Sequence, residues 1–456
     1  MRKKGILMLG LAAFLTLGTG FTSMAAAGWA MENGQWVYYD NAGEQVTNEW
    51  KRGADNQWRY LNSYGQMAVD RWVDETYYVD SNGIMVAGKW MKLNSNYSGL
   101  TSEDHWYYFQ DSGKAVTSSW KKIKDRWYHF DSYGTMETGW LDDNMSYAKE
   151  DGAAVTGWQK LYPPDGDGED RNPFEDDERR WYYFNNSGKK FVPELKNDAQ
   201  CGEKRIDGTY YCFNSRGAMQ TGWAYVGGTN AEDGTINGYR FYGNNGKAVS
   251  GWYSAAPPSE LSGYENDVEW FYFSNSGVPK SGPVKGTAST ADFLRVNGKT
   301  YLFNELGVPV TGLQKVYTGK SASGEYTSYY FDPNSCAVMS GKITVEENDG
   351  NRCQYYFASS GKGFTGVQSG SLYYMGKLQT ADNGMKYDVI TIPGTNGKAT
   401  NYVVNASGKV MRSSSALKDS DGTKYTTNNN GVLTKINGES VPDGSTFSQP
   451  REPDWN

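Results

Sequence analysis

Histidine is nearly missing from this chain: His105 and His129 are the only two in 456 residues. Cysteine is scarce as well, with only Cys201, Cys212, Cys336 and Cys353. These shortages argue against a zinc centre and a Cys–His nucleophile, which need those side chains close together. His129 stands in an aromatic strand position and His105 just before one, which suits packing or surface roles. Long apolar runs are lacking beyond the first 27 residues, so no membrane span is expected in the processed chain. Excess basic charge is lacking too. The formal net charge is −7, and it is more negative still without the three basic residues of the leader, so a phosphate-tracking nucleic-acid binder is not expected. Aliphatic side chains are few: hydrophobic residues reach 38% of the chain although aromatics alone supply 15%. Any core has to be built largely from rings.

The opening residues join a basic start (Arg2, Lys3, Lys4) to an apolar run and to small residues at Ala25 and Ala27. This predicts a secretory signal peptide over residues 1–27, cleaved to leave Gly28 and Trp29 in front. In an exported chain an even cysteine count predicts disulfides. Cys201 and Cys212 flank a turn within one unit, and Cys336 and Cys353 are expected to join adjacent units. No metal or cofactor is expected.

What is abundant is a repeated phrase. DHWYYFQDSGKAVTSSW runs from Asp104 to Trp120, KDRWYHFDSYGTMETGW from Lys124 to Trp140, and RRWYYFNNSGKKFV from Arg179 to Val192. Anchor tryptophans recur at Trp29, Trp50, Trp72, Trp90, Trp120, Trp140, Trp158, Trp223 and Trp252, many about twenty residues apart. Each unit runs from an anchor Trp through a polar turn to an aromatic strand, then to Asp/Asn-x-x-Gly. Short aromatic runs between Gly/Asn/Asp clusters are hairpin signals. A lone hairpin is marginal in water, so neighbours must cover one another. The expected fold is all-β, a β-solenoid of stacked short hairpins with about twenty residues per repeat.

Fifteen of the sixteen tryptophans lie between Trp29 and Trp270, and the last is Trp455. Strands such as YLFN, YYFD and LYYM persist beyond Trp270 while the anchor Trp disappears. The chain is therefore divided into Trp-rich repeats at 28–282, degenerate repeats at 283–380, and highly divergent repeats with a tail at 381–456.

Units such as RWYHFDSYGTMETGW and HWYYFQDSGKAVT resemble the choline-binding, or cell-wall-binding, repeats of Gram-positive surface proteins, which are related to glucan-binding repeats. The resemblance implies a hairpin solenoid whose inter-repeat aromatic pockets hold choline groups of teichoic acids or, in related members, glucan chains. It also implies pocket walls on the anchor Trp, on the strand aromatic of the same unit, and on an aromatic of the next unit's strand. One run of candidates is Trp29, Trp36, Tyr38, Trp50, Trp58, Tyr60, Trp72 and Tyr78. A second is Trp90, Trp106, Tyr108, Trp120, Trp127, Trp140, Trp158, Trp181 and Tyr183. Alternation alone does not fix which strand ring faces the groove.

Quaternary ammonium groups suit such walls, because ring faces supply cation–π attraction and apolar contact together. Glycan hydrolases need a placed carboxylate pair, but Asp40, Asp80, Asp111 and Asp131 recur in turns, where Asp stabilises the chain reversal. No segment is left over for a catalytic domain. The run Asp165 to Arg180 departs from a calcium loop at Asp170 and Asp176 and reads as a solvated acidic loop. The expectation is a non-catalytic, secreted protein held non-covalently at the cell wall by choline-bearing teichoic acid. The rival readings are a glucan-binding protein, or an adhesin whose C-terminal half contacts a host or bacterial protein.

Overall fold

The computed structural model describes residues 27–94, 103–164, 178–195, 198–227, 234–320, 322–394 and 398–455. The leader up to residue 26 and most of the acidic insertion, 165–177, lie outside the described residues. Apart from a single 3-10 turn at Thr290–Asp292, the described secondary structure is all β. The expected hairpin solenoid is what forms.

Antiparallel pairs of short strands follow one another along the chain. Their register is constant: with positions numbered along the four-residue motif that closes each aromatic strand (WVYY, WRYL, TYYV, WYYF, WYHF), here and below, the anchor Trp stands opposite the third residue. Trp29 faces Tyr38, Trp50 faces Tyr60, Trp72 faces Tyr78, Trp90 faces Tyr108, and Trp120 faces His129. The turn after each strand explains its Asp/Asn-x-x-Gly signature. Asn62 Oδ1 accepts the backbone N–H groups of Tyr64 at 2.9 Å and Gln66 at 3.0 Å, and Gly65 takes the left-handed φ of 72° that the reversal requires. Asp40, Asp80 and Asp131 accept from their own turns in the same way. Asp111 is one place off: Gln110 fills the first position of its turn.

A backbone stitch joins one hairpin to the one before it at most of the joints. Met67 N donates to Trp36 O of the preceding hairpin, while Ala68 N donates to Tyr60 O of its own. The same pair of bonds recurs from Met85 to Trp58 and Val86 to Tyr78, and from Met136 to Trp106 and Glu137 to His129. Farther along, Ala248 donates to Tyr210, Val338 to Thr300 and Gly363 to Ser328. Pro279 and Pro309 occupy the donor position and have no N–H, so there only the bond within the hairpin remains, from Lys280 to Tyr272 and from Val310 to Leu302.

The fourth strand residue fills the core. Leu61, Val79, Phe109, Phe130, Phe184, Phe213, Tyr242, Phe273, Phe331 and Phe357 are all completely buried. The described residues divide into two compact units, one within 27–160 together with 164 and 183–191, the other of 161–163 and 178–182 with those within 192–455. Late in the second unit the two-stranded rule relaxes. Gly341–Glu346, Arg352–Phe357, Lys377–Leu378, Ser371–Tyr374 and Gly366–Gln368 make a five-stranded sheet, and four strands between Leu417 and Ser440 make another.

One expected crosslink forms and one does not. Cys201 and Cys212 are bonded, with Cα atoms 5.7 Å apart. Cys336 and Cys353 are free thiols, contrary to the expectation from an even count. They belong to different core clusters. Cys336 packs with Tyr301, Phe303 and Ala337, while Cys353 packs with Leu313, Val345, Tyr355 and Phe357. The Cys353 thiol donates to Glu347 Oε2 at 3.2 Å. Burial, together with that carboxylate, pushes it up to about 11.

Candidate functional site

The rings meet where one hairpin joins the next. Trp50 lies 5.2 Å from Tyr60 of its own hairpin and 5.3 Å from Tyr77 of the following one. Trp72 lies 5.7 Å from Tyr78, 4.9 Å from Tyr107 and 5.5 Å from Phe109. Trp90 lies 5.2 Å from Tyr108, 4.9 Å from Tyr128 and 5.6 Å from Phe130. In the second unit, Trp223 repeats this with Phe241, Phe271 and Phe273, and Trp252 with Tyr272, Tyr301 and Phe303. Most of these rings meet at steep angles, 63° between Trp50 and Tyr77 and 71° between Trp72 and Tyr107, so they form corners and not a flat shelf.

The rule left open by alternation is now explicit. An anchor Trp takes the third strand residue of its own hairpin and the second and fourth residues of the next. Tyr77, Tyr107 and Tyr128 are therefore joint residues that sequence reasoning missed, as are the ring sets around Trp223 and Trp252. The signal was present in the two-residue alternation: the second strand residue points away from its own anchor and toward the preceding one.

The expected candidates divide accordingly. Trp50 and Tyr60 come together in a joint of three rings, and Trp72 with Tyr78 and Trp90 with Tyr108 in joints of four. Trp29 pairs with Tyr38 at 5.4 Å, but the second residue of the next strand is Arg59, bound to Asp55. Trp120 pairs with His129 at 5.0 Å, but the next strand offers Ser146 and Ala148 at the two ring positions. Trp140 meets Tyr147 at 5.3 Å and Phe184 at 6.1 Å, and Trp158 meets Tyr183 at 5.2 Å. Trp58, Trp106, Trp127 and Trp181, all first strand residues, are exposed along the rim, and Trp36 in the same position is half-buried. Trp106 reaches an anchor, Trp90, at 6.4 Å. Arg52 covers Trp58 at 5.3 Å.

Charge reaches some joints from within the chain. Lys190 Nζ lies 4.9 Å above the Trp140 ring, and Lys189 Nζ lies 5.9 Å from Trp120. Asp142 accepts the Trp120 indole N–H at 2.9 Å and also binds Lys189. Burial pushes the Asp142 carboxyl up, but these donors outweigh it and hold it below the usual carboxylate range. Among the described residues no Lys or Arg lies over Trp50, Trp72, Trp90, Trp223 or Trp252.

Where the anchor Trp is lost, other side chains fill its place. Phe293 lies 5.0 Å from Tyr329 and 6.1 Å from Phe331, the second and fourth residues of the next strand. Leu313 is fully buried opposite Tyr330. At the disulfide-bearing hairpin Glu203 stands in the anchor position and accepts the Tyr242 hydroxyl at 2.8 Å. Among the described residues no group of three or more His, Cys, Asp or Glu is arranged to hold a metal ion. No described helix is long and apolar enough to cross a membrane.

These features define a class: a stacked-hairpin repeat protein with aromatic joints. Residues 26–72 match the choline-binding repeat family model, and residues 100–115, 118–136 and 180–190 match the cell wall binding repeat model. Over those segments the chain matches choline-binding and cell-wall-binding repeats, and these matches support a role in binding the cell wall. It is also similar to glucosyltransferase-I of Streptococcus downei, 26% identical over 422 residues, covering 74% of this chain and 25% of that protein. The chain thus spans about a quarter of that relative's length. Among solved structures, the modular autolysin LytC of Streptococcus pneumoniae is 19% identical over 63% of this chain and 54% of that one, with a TM-score of 0.38. Choline binding protein F of the same species is 20% identical over 69% and 92%, with a TM-score of 0.35.

Proposed function

We propose that this chain is a secreted, non-catalytic wall-binding protein whose open joints hold quaternary ammonium groups of a choline-bearing polymer such as teichoic acid. The observation that carries this reading is the corner of rings at Trp50, Trp72, Trp90, Trp223 and Trp252, drawn in each case from two hairpins. A trimethylammonium head has no N–H to donate and spreads its charge under methyl groups, so ring faces meeting at an angle suit it better than polar partners. Each ring contributes about 0.5–2 kcal/mol, which gives roughly millimolar single-site affinity. Avidity along a polymer then raises retention by orders of magnitude.

A second reading rests on the rim. Exposed Trp58, Trp106, Trp127 and Trp181, with Trp270 at 56% exposure, offer flat faces on which sugar rings could stack. Retention on a choline-analogue resin and on dextran, each with Trp50→Ala and Trp270→Ala variants, separates the two, because Trp106 also touches the corner at Trp90. The choline reading expects the Trp50 change to weaken choline retention and the Trp270 change to matter less.

A further inference from the structure

We propose that the Trp140 joint is already occupied by a cation of the chain itself, the ammonium of Lys190, and that position 190 determines whether this joint accepts an external quaternary ammonium. The inference rests on the cation reading above.

The residue that makes the backbone stitch also lines the joint it closes. At Trp90 this residue is Met136, which packs in one cluster with Trp90, Tyr108, Tyr128 and Phe130. At Trp72 it is Ala115, packed with Trp72 and Tyr78, and at Phe293 it is Val338. Along the described repeats the position bridged to the fourth strand residue holds Gln45, Met67, Met85, Ala115, Met136, Ala154, Lys190, Met219, Ala248, Pro279, Pro309, Val338, Gly363 and Val410. Lys190 is the one charged side chain in this series. Its backbone N–H donates to Met145 O at 2.7 Å, which fixes it in the same place as the others.

A lysine in an apolar slot needs somewhere to put its charge. Lys190 retains only 6% exposure, and its Nζ sits 4.9 Å above Trp140, whose ring meets Tyr147 at 77°. That is the place and the chemistry assigned to an external ammonium in the open joints. Lys189, on the opposite side of the same extended segment, turns to Asp142 and Trp120. Two adjacent lysines thus bring ammonium groups to two consecutive anchors.

The test uses the full chain, choline chloride as probe, and the variants Lys190→Met and Lys190→Ala, with circular dichroism and thermal melts as checks on folding. Calorimetric titration is expected to count one more bound choline in Lys190→Met than in the unaltered protein. An unchanged count in a folded variant overturns the proposal. Lys190 acetylation, followed by mass spectrometry on the unaltered protein, provides a readout that needs no choline. Lys190 is expected to react at least tenfold more slowly than exposed Lys342, and equal rates overturn its placement on Trp140. If neither protein binds choline, both the opening at position 190 and the external-ligand reading fail, whereas a protected Lys190 together with choline binding at an unchanged count defeats the opening alone.

Discussion

Trp90 lies 4.9 Å from Tyr128, a residue of the following hairpin, with the two ring planes at 68°. A ring that completes the first hairpin's aromatic corner is therefore supplied by the second. A repeat such as this one uses its neighbour twice, for cover of its apolar face and for completion of its aromatic corner, as expected of a one-dimensional array.

Anchors with and without this second hairpin's ring should behave differently. Trp50→Ala is expected to remove one choline from the titrated count, because Tyr60 and Tyr77 lose the wall between them. Trp120→Ala is expected to leave the count unchanged, since Ser146 and Ala148 stand where the next rings belong. Equal losses at both positions would show that the third ring is irrelevant.

The thiol pattern can be read chemically. Iodoacetamide added to denatured, unreduced protein should label Cys336 and Cys353 and spare Cys201 and Cys212. Reduction should then destabilise the hairpin around Cys201–Cys212 by on the order of 2–4 kcal/mol, seen as a lower melting temperature in a Cys336→Ala/Cys353→Ala background. No shift on reduction would mean that this bond constrains little.

Acid should loosen the late part of the second unit through Glu347. Its buried carboxylate pairs with Lys377 at 2.7 Å and accepts from the Tyr355 hydroxyl, the Cys353 thiol and the Asp454 backbone N–H. Burial alone raises such a carboxyl, but these partners outweigh it and hold it below the usual range. Because the folded value is depressed, this stability is present above the unfolded value and is lost as pH falls through the folded one. Glu347→Gln should flatten that acid dependence and cost about 3–5 kcal/mol at neutral pH by removing the carboxylate that faces Lys377, which keeps only the Glu452 carbonyl, as chemical denaturation at several pH values would reveal.

The tail should matter for the same region. Trp455 packs against the cluster of Leu313, Val345, Tyr355 and Phe357, and Arg451 exchanges hydrogen bonds with Gln379. Trp455→Ala is expected to lower stability by about 3 kcal/mol while leaving the choline count unchanged. A lost choline on this substitution would place a site at the late joints.

Much of this was legible in the sequence because the repeat writes its own turn chemistry. The Asp/Asn-x-x-Gly phrase fixed the hairpins, and the twenty-residue period fixed their stacking. Less legible was the partition of rings between neighbours, since alternation gives two faces without saying which belongs to which joint. Phe293 in the anchor position was hidden because no Trp announces it. Lys190 reads in the sequence as one more surface lysine after Gly188, and only the register of the stitch places it in an apolar slot. The even cysteine count misled because Cys336 and Cys353 fall in separate clusters that share no wall.

The most direct test of the account is retention of the full chain on a choline-analogue resin, with dextran run in parallel. The account predicts retention on the first, release by free choline, and a weaker hold after Trp90→Ala. Passage straight through the choline resin by folded protein would contradict it, and retention on dextran alone would move the function to the tryptophans of the rim.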